Sequence, residues 1–575
     1  MNRRNFFQLS VAGGIIPLLP ACIGSTTSHS IGHKSRELTA DLVVAGGGLG
    51  GCAAVLGALR NGLTVILTEE TDWLGGQLTT QGVPPDEHPW IETHGATLLY
   101  RHFRTAVRQY YLRNYPLTDE ARTVQHFNPG SGDVSRLCHE PRVALAVLYE
   151  MLNPYISSGK LTVLTEYKPV GADISGDRVR ALKMVHVSHN DTMAIVGSNS
   201  SKDEMILTAP YFVDATELGD LLPLTRTEYR TGTESRNETK ELHAPEKADP
   251  TNQQAFTVCF ALDYDKNGNH IIDKPTEYDF WRHYVPPLTP AWSGRLISLT
   301  YSSPATLEPR TLGFHPEGIR TGDTLNLWNY RRIIARKNFL PGSYSGDISI
   351  INWPQNDYLL GTLDSGVKDF NHHVARAKQL NRSLLYWLQT EAPRPDGGQG
   401  WPGLRLRGDI MGTDDGMAKY PYIREARRIK ALYTVLEEHV GTENRKLVSG
   451  QDTAADFYDS IGVGYYRIDL HPSTGGNNYI DFASLPFQAP LGAIIPQRTE
   501  NLLAACKNIG TTHITNGNFR EHPTEWNIGE VAGMLVSFAL QHKSSPRAIR
   551  ENRALLSDFQ QMIQKQGVEI RWPNS

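Results

Sequence analysis

The chain has 575 residues, enough for two or more domains with sizeable cores. A formal charge of −4 with 21% charged residues describes an ordinary soluble surface and gives no electrostatic footprint for nucleic acid. The five cysteines have no short paired spacing and the histidines no metal-ligand spacing, so no zinc ribbon, Cys-x-x-Cys redox centre or other metal site is read.

Arg3-Arg4-Asn5-Phe6-Phe7 and the apolar run through Val11, Ile15, Ile16, Leu18 and Leu19 resemble a twin-arginine export signal, with an apolar part too short to span a bilayer stably. Leu19-Pro20-Ala21-Cys22 reads either as a lipoprotein processing site, with Cys22 acylated as a lipid anchor, or as a plain small-residue cleavage region. The expectation is an exported, periplasmic or extracytoplasmic protein. Residues 1–30 are set apart as signal and linker.

The first structural motif is a Val-rich run from Asp41 to Ala45, then Gly46, Gly48 and Gly51, then a small-residue helix from Cys52, then a second strand ending at Glu69. This is the strand–turn–helix–strand order of a dinucleotide site. Gly46 allows the tight turn, Gly48 the approach of a pyrophosphate, and Gly51 close helix–strand packing. Leu49 and Gly50 open the helix whose N–H groups and dipole favour the phosphates. Glu69, with Glu70 beside it, stands where a carboxylate holds ribose hydroxyls and disfavours a 2′-phosphate.

Trp73-Leu74-Gly75-Gly76-Gln77 resembles the loop beneath the flavin in FAD-dependent oxidoreductases of the glutathione-reductase type, which selects FAD over NAD. Beyond it, residues 83–95 leave the nucleotide domain. Their His88 and His94 line either a substrate wall or a polar surface loop, and 98–115 reads as a helix of a cap.

From Ser135 the chain returns to the nucleotide domain, with a helix over 142–152 and strands over 161–166, 170–174 and 179–187. The three strands resemble the meander of the FAD fold, with Pro169 near the adenine. The strand ending Asp214-Ala215-Thr216 resembles the second FAD motif, which passes the pyrophosphate; Glu217 stands where that motif has glycine.

Residues 226–484 read as a mixed insertion punctuated by Pro, Asn and Gly. Within it, 421–436 shows a helical stripe of Ile423, Ala426, Ile429, Leu432 and Leu436. Arg424 and Arg428 lie off that stripe, as a solvated basic face or as ligands for a substrate carboxylate. The tryptophans have no regular spacing and read as packing. The stretch 465–472, ending in His471, brings aromatic, basic and imidazole groups together.

The closing segment from Gln488, with Asn527-Ile528-Gly529-Glu530 opening a helix, resembles the third FAD motif, whose helix N-terminus points at the flavin. The Gly-Asp that commonly binds the ribityl chain is replaced by Cys506-Lys507-Asn508. Together the three motifs resemble the bacterial FAD-dependent oxidoreductases.

The resemblance implies an α/β fold: a Rossmann-like FAD domain of parallel sheet plus three-stranded meander, from 38–85, 139–225 and 485–545. A large α+β substrate or cap domain would comprise 86–138 and 226–484, with a C-terminal helix and tail over 546–575. It implies FAD as cofactor and removal of a hydride from a small organic substrate at flavin N5, with the acceptor undefined. His471, His513, Arg520 and His522 are the candidates for proton transfer and orientation; each could instead make a structural hydrogen bond. Rival readings are a non-redox role, elimination or scaffold binding, and a flavin monooxygenase.

Overall fold

The computed structural model describes residues 36–187, 204–320, 322–425 and 427–573; the export signal and Cys22 lie outside them. Its first layer is a five-stranded parallel sheet. Strand β1 (Arg36–Thr39) leads to β2 (Leu42–Ala45), β3 (Val65–Glu69) and β4 (Leu161–Thr165), and the sheet takes in β8 (Tyr211–Asp214) and β13 (Leu502–Ala504) in the order β13-β8-β2-β3-β4. All four residues of β2 and of β8 are buried, as expected for strands covered on both faces.

The second sheet consists of β5 (Tyr167–Ser175), β6 (Arg178–His186) and β7 (Glu204–Thr208), antiparallel in sequence, with β1 added in parallel beside β7. This corrects one strand of the expected meander: 161–165 belongs to the parallel sheet. Leu161 and Thr165 face Val65 and Glu69 in register, an extension that a local alternation pattern does not distinguish from a meander strand.

Helix α1 (Leu49–Arg60) follows β2 and crosses α6 (His522–His542) at backbone contact. A Cβ on Gly533 would lie 1.9 Å from Ala54 O, one on Gly57 2.2 Å from Glu530 O, and one on Gly529 2.0 Å from Gly50 O. The small residues of 529–533 therefore serve a helix–helix crossing. Helix α6 begins at His522, seven residues before the expected opening at Gly529. Pro523 at its first turn supplies no N–H where none is needed and sets the start. Gly533→Val is expected to lower stability by ~3 kcal/mol or more, since a side chain there must separate the two helices; thermal unfolding of the flavin-loaded protein measures it.

The inserted region holds an antiparallel sheet of β9 (Phe260–Tyr264), β10 (Arg332–Ile334), β11 (Ile348–Ile351) and β12 (Leu404–Leu406), in the order β10-β11-β9-β12. Further helices are α2 (Leu98–Asn114), α5 (His513–Phe519) and the long α4 (Val367–Thr390), whose buried stripe is Val374, Ala377, Asn381, Leu384 and Leu388. Helix α3 (Pro141–Ser157) lies between β1–β3 and β4 in the chain.

The helix expected at 421–436 does not form. Its backbone donors go to distant acceptors: Tyr422 N–H to Thr257 O, Ile429 to Asn508 O, Lys430 to Glu228 O, Leu432 to Ile495 O and Val435 to Gly510 O. Arg424, Glu425 and Arg428 are as buried as Ile423 and Ile429, so the arginines form no solvated face although Lys430 is exposed, and the helical spacing of the apolar residues is coincidental. Ala426 lies outside the described residues.

Candidate active site

The glycine turn after β2 takes the expected shape. Gly46 has φ +96°, and a Cβ there would lie 2.3 Å from Ala215 O; a Cβ on Gly51 would lie 1.9 Å from Gly46 O. Only glycine permits both contacts. Ala215 N–H donates to Ala45 O, and Asp214 pins its own turn by accepting from Thr216 N–H and Oγ1 and from Leu221 N–H. Burial pushes the Asp214 carboxyl up to about 7.

A groove runs over this turn, lined by Gly46, Gly48, Thr68, Glu69, Glu70, Gly76, Pro169, Ala215, Thr216 and Glu217, with Tyr167 and Tyr420 at its sides. Glu69 accepts from Gly47 N–H (2.8 Å) and from Thr71 N–H and Oγ1, and burial raises its carboxyl to about 7. Glu70 pairs with Lys168 at 3.0 Å. Gly75 is left-handed, and Gly76 packs against Gly48. Gln77 donates from Nε2 to Glu525 Oε2 (2.6 Å) and to Arg520 O (3.1 Å), which stitches the loop to the start of α6.

These residues suit a flavin dinucleotide. The glycine cradle has no space for side chains, two carboxylates lie beside the β3 end of the groove, and buried Thr68 Oγ1 and Gln77 Oε1 have no hydrogen-bond partner in the structure. Asn527 donates to Ile461 O, Ile528 is buried within α6, and Gly529 packs on Gly50, while Asn527 Oδ1 is buried without a partner.

Across the Gln77–Arg520 link lies a cavity of about 410 Å³. The stretch ending at His471 contributes Tyr466, Arg467, Asp469 and His471 to its wall. Arg310, Arg331, Arg424 and Arg520 line it from other segments, with Asp86 and Asp481. Thus five guanidiniums meet three carboxylates. Arg331 pairs with Asp86 (3.2 Å), Arg424 with Asp357 (3.1 Å) and Arg520 with Asp469 (2.9 Å), yet Nε of each of these three arginines is buried without a partner.

His471 is held by Asp357 Oδ2 at Nδ1 (2.5 Å), while Nε2 lies 3.7 Å from Asp469 Oδ2. Asp357 also accepts from Thr257 Oγ1 (2.6 Å). Burial alone would raise the Asp357 carboxyl, but the Arg424 and His471 charges hold it below its usual range. Asp469 is held low in the same way, by His471 and Arg520 against burial.

The other candidates are placed differently. His522 Nδ1 accepts from Asp86 N–H (3.1 Å), which fixes the proton on Nε2, and burial beside Arg331 and Lys507 keeps the ring neutral. It is a donor, with no basic nitrogen to offer. His513 Nδ1 pairs with Glu425 (3.0 Å), and its N–H donates to Glu234 in a buried ion network away from the cavity wall. Arg428 belongs to that network, so neither of its expected roles applies to it. Arg424, by contrast, lines the cavity. His88 bonds Gly95 O, His94 bonds Thr93 Oγ1, and neither borders the cavity.

A parallel sheet with a glycine cradle at its strand ends, beside a separate charged cavity, is the arrangement of a dinucleotide-binding fold. The chain belongs to the FAD dependent oxidoreductase family, whose model matches residues 41–563. No curated protein matches it. Among solved structures it is similar to E. coli quinol fumarate reductase FrdA (11% identity over 92% of this chain and 74% of that one, TM-score 0.30). It is also similar to a geranylgeranyl bacteriochlorophyll reductase-like protein of Thermoplasma acidophilum (9%, covering 92% and 85%, TM-score 0.29). Against the Sdh1 complex of Mycobacterium smegmatis the match is 11% over 31% of this chain, and it spans only 34% of that one (TM-score 0.21).

Proposed function

We propose that the enzyme oxidises a small organic substrate bearing at least one carboxylate, bound in the arginine-lined cavity. The observation that carries this reading is the excess of arginine in one cavity, where Arg310, Arg331, Arg424, Arg467 and Arg520 meet Asp86, Asp469 and Asp481. A planar guanidinium matches a carboxylate, and burial makes the contact stronger than at a surface. FAD, when bound, supplies a hydride acceptor at N5. The chain's own part is to hold the anion on the arginines and to take a substrate proton at His471 Nε2, while Asp357 fixes the imidazole through Nδ1. Glu69 and the glycine turn hold the adenosine side, in the manner of the glutathione-reductase type.

Anaerobic mixing of the flavin-loaded protein with a panel of 2-hydroxy acids, dicarboxylates, amino acids and neutral polyols tests the reading. Bleaching of the flavin absorbance by carboxylates alone is the expected result. Bleaching only by neutral compounds would reject the substrate class. No bleaching by any compound would favour a non-redox role, and bleaching that requires a separate reductant would favour a monooxygenase.

We also propose export through the Arg3-Arg4 signal, with Cys22 as an acylated anchor. Replacement of both arginines by lysine is expected to retain the protein in the cytoplasmic fraction, and Cys22→Ser to release it from membranes. Unchanged fractionation of either variant would refute the corresponding role.

A further inference from the structure

The second FAD motif departs from its pattern at Glu217, and the third at Lys507; the structure brings the two departures together. Glu217 Oε1 lies 2.8 Å from where a Cβ would stand on Gly48 and on Gly76, two glycines that pack against each other in the groove lining. The carboxylate therefore sits over the glycine turn, at the entrance to α1. Its Oε1 is buried and makes no hydrogen bond, while Oε2 meets Lys507 Nζ at 2.7 Å. Lys507 is fully buried and reaches Glu525 Oε2 at 3.2 Å as well. Glu525 Oε1 in turn accepts from Gly50 N–H, in the first turn of α1 (3.2 Å).

The ligating atoms of Glu217, Cys506 and Glu525 lie close enough to hold a metal ion. Lys507 Nζ already lies among them, 3.6 Å from the Cys506 sulfur, so the cluster holds an ammonium where a metal would sit. One buried cation is thus shared by two carboxylates at the N-terminus of the cofactor helix. That is one anionic charge more than the lysine neutralises, next to a helix end that favours phosphate.

We propose that Lys507 is a cationic anchor for the FAD diphosphate and that Glu217 is its internal substitute: loading of the cofactor exchanges the Glu217 carboxylate for the diphosphate at Lys507. In this arrangement Glu525 stays on Gly50 and Gln77, and Glu217 turns out along the groove it lines. A carboxylate left over Gly48 would repel the diphosphate at short range in a dry site. The exchange replaces one anion on Lys507 by another and keeps the buried ammonium paired. Glycine at position 217 would hold no such substitute, and Lys507 would then carry only Glu525.

The test titrates the flavin-free full chain with FAD, ADP and adenosine, using flavin fluorescence and calorimetry, with thermal unfolding to establish that each variant is folded. Glu217→Gln removes the competing charge at nearly constant shape. It is expected to tighten FAD and ADP at least tenfold and to leave adenosine, which has no phosphate, unchanged. The double variant Glu217→Gln with Lys507→Met removes the anchor without stranding the Glu217 charge. Relative to Glu217→Gln it is expected to lose at least tenfold for FAD and ADP and nothing for adenosine. The proposal is overturned if Glu217→Gln binds FAD and ADP no tighter than the natural chain, or if adenosine gains equally. It is also overturned if the folded double variant keeps the affinity of Glu217→Gln. Should the double variant not fold, the comparison of Glu217→Gln with the natural chain decides alone.

Discussion

His471→Asn is expected to lower turnover by roughly 10²–10⁴-fold with flavin content unchanged. The imidazole is the cavity group whose second nitrogen is fixed: Nδ1 lies 2.5 Å from Asp357 Oδ2, and that carboxylate is itself clamped by Arg424 and Thr257 Oγ1. When the ring is neutral, Nδ1–H donates to Asp357 and the basic lone pair sits on Nε2, 3.7 Å from Asp469 Oδ2 in the cavity wall. Asp357→Asn gives an independent reading. Its amide can present N–H to Nδ1 and so move the imidazole proton to Nε2, where it blocks proton acceptance; such a tautomer switch is expected to cost turnover as heavily as loss of the ring. The flavin absorbance of both variants should match that of the natural enzyme, because neither residue borders the glycine groove. Turnover within a few-fold of the natural value in His471→Asn would place the base elsewhere.

The cofactor half of the molecule was legible because its signal is local and steric. Gly46, Gly51 and Gly76 stand where any side chain meets backbone or another glycine at under 3 Å, and such positions leave a trace in the sequence whatever the rest of the fold does. His471 was legible for a weaker reason, the density of chemistry in 465–472. The arginine cavity was not, because its lining comes from segments between Asp86 and Arg520 that no single window contains. The false helix at 421–436 failed on the same ground. Its backbone donors are claimed by distant residues, and its buried charges are satisfied by Glu234, His513 and Asp357, all far away in the sequence. His513 and His522 lie close in sequence to the third FAD motif. Each is committed, His513 to Glu425 and His522 to the Asp86 N–H, partners a motif does not reveal.

Arg428→Met is expected to cost roughly 3–5 kcal/mol of stability, a large part of the 5–15 kcal/mol that holds a typical domain. Arg428 is fully buried; it donates to Glu234 Oε1 (3.0 Å) and to Gly232 O, and it contacts Glu425. Without it, the two buried carboxylates have no guanidinium: the backbone N–H of His513 serves Glu234, and His513 Nδ1 and the Gln254 N–H serve Glu425. The pH dependence fixes the cause. In the natural chain burial would raise the Glu425 carboxyl, but His513 and Arg428 hold it below the ordinary value. A group depressed in this way adds stability above its unfolded pKa of about 4.3 and loses it as pH falls through the folded value. In Arg428→Met burial prevails and the folded pKa rises above the unfolded one, so protonation stabilises the variant and its deficit grows as pH rises. Denaturant unfolding at pH 5 and pH 8 should therefore show the larger gap between natural chain and variant at pH 8. The same network reaches the cavity, since Gln254 N–H donates to Glu425 and Gln254 Oε1 accepts from the His471 N–H. Folded Arg428→Met is accordingly expected to show a raised KM or lowered turnover as well. A deficit under 1 kcal/mol, or one that does not change between the two pH values, would mean that the ion network is solvated and carries little of the fold.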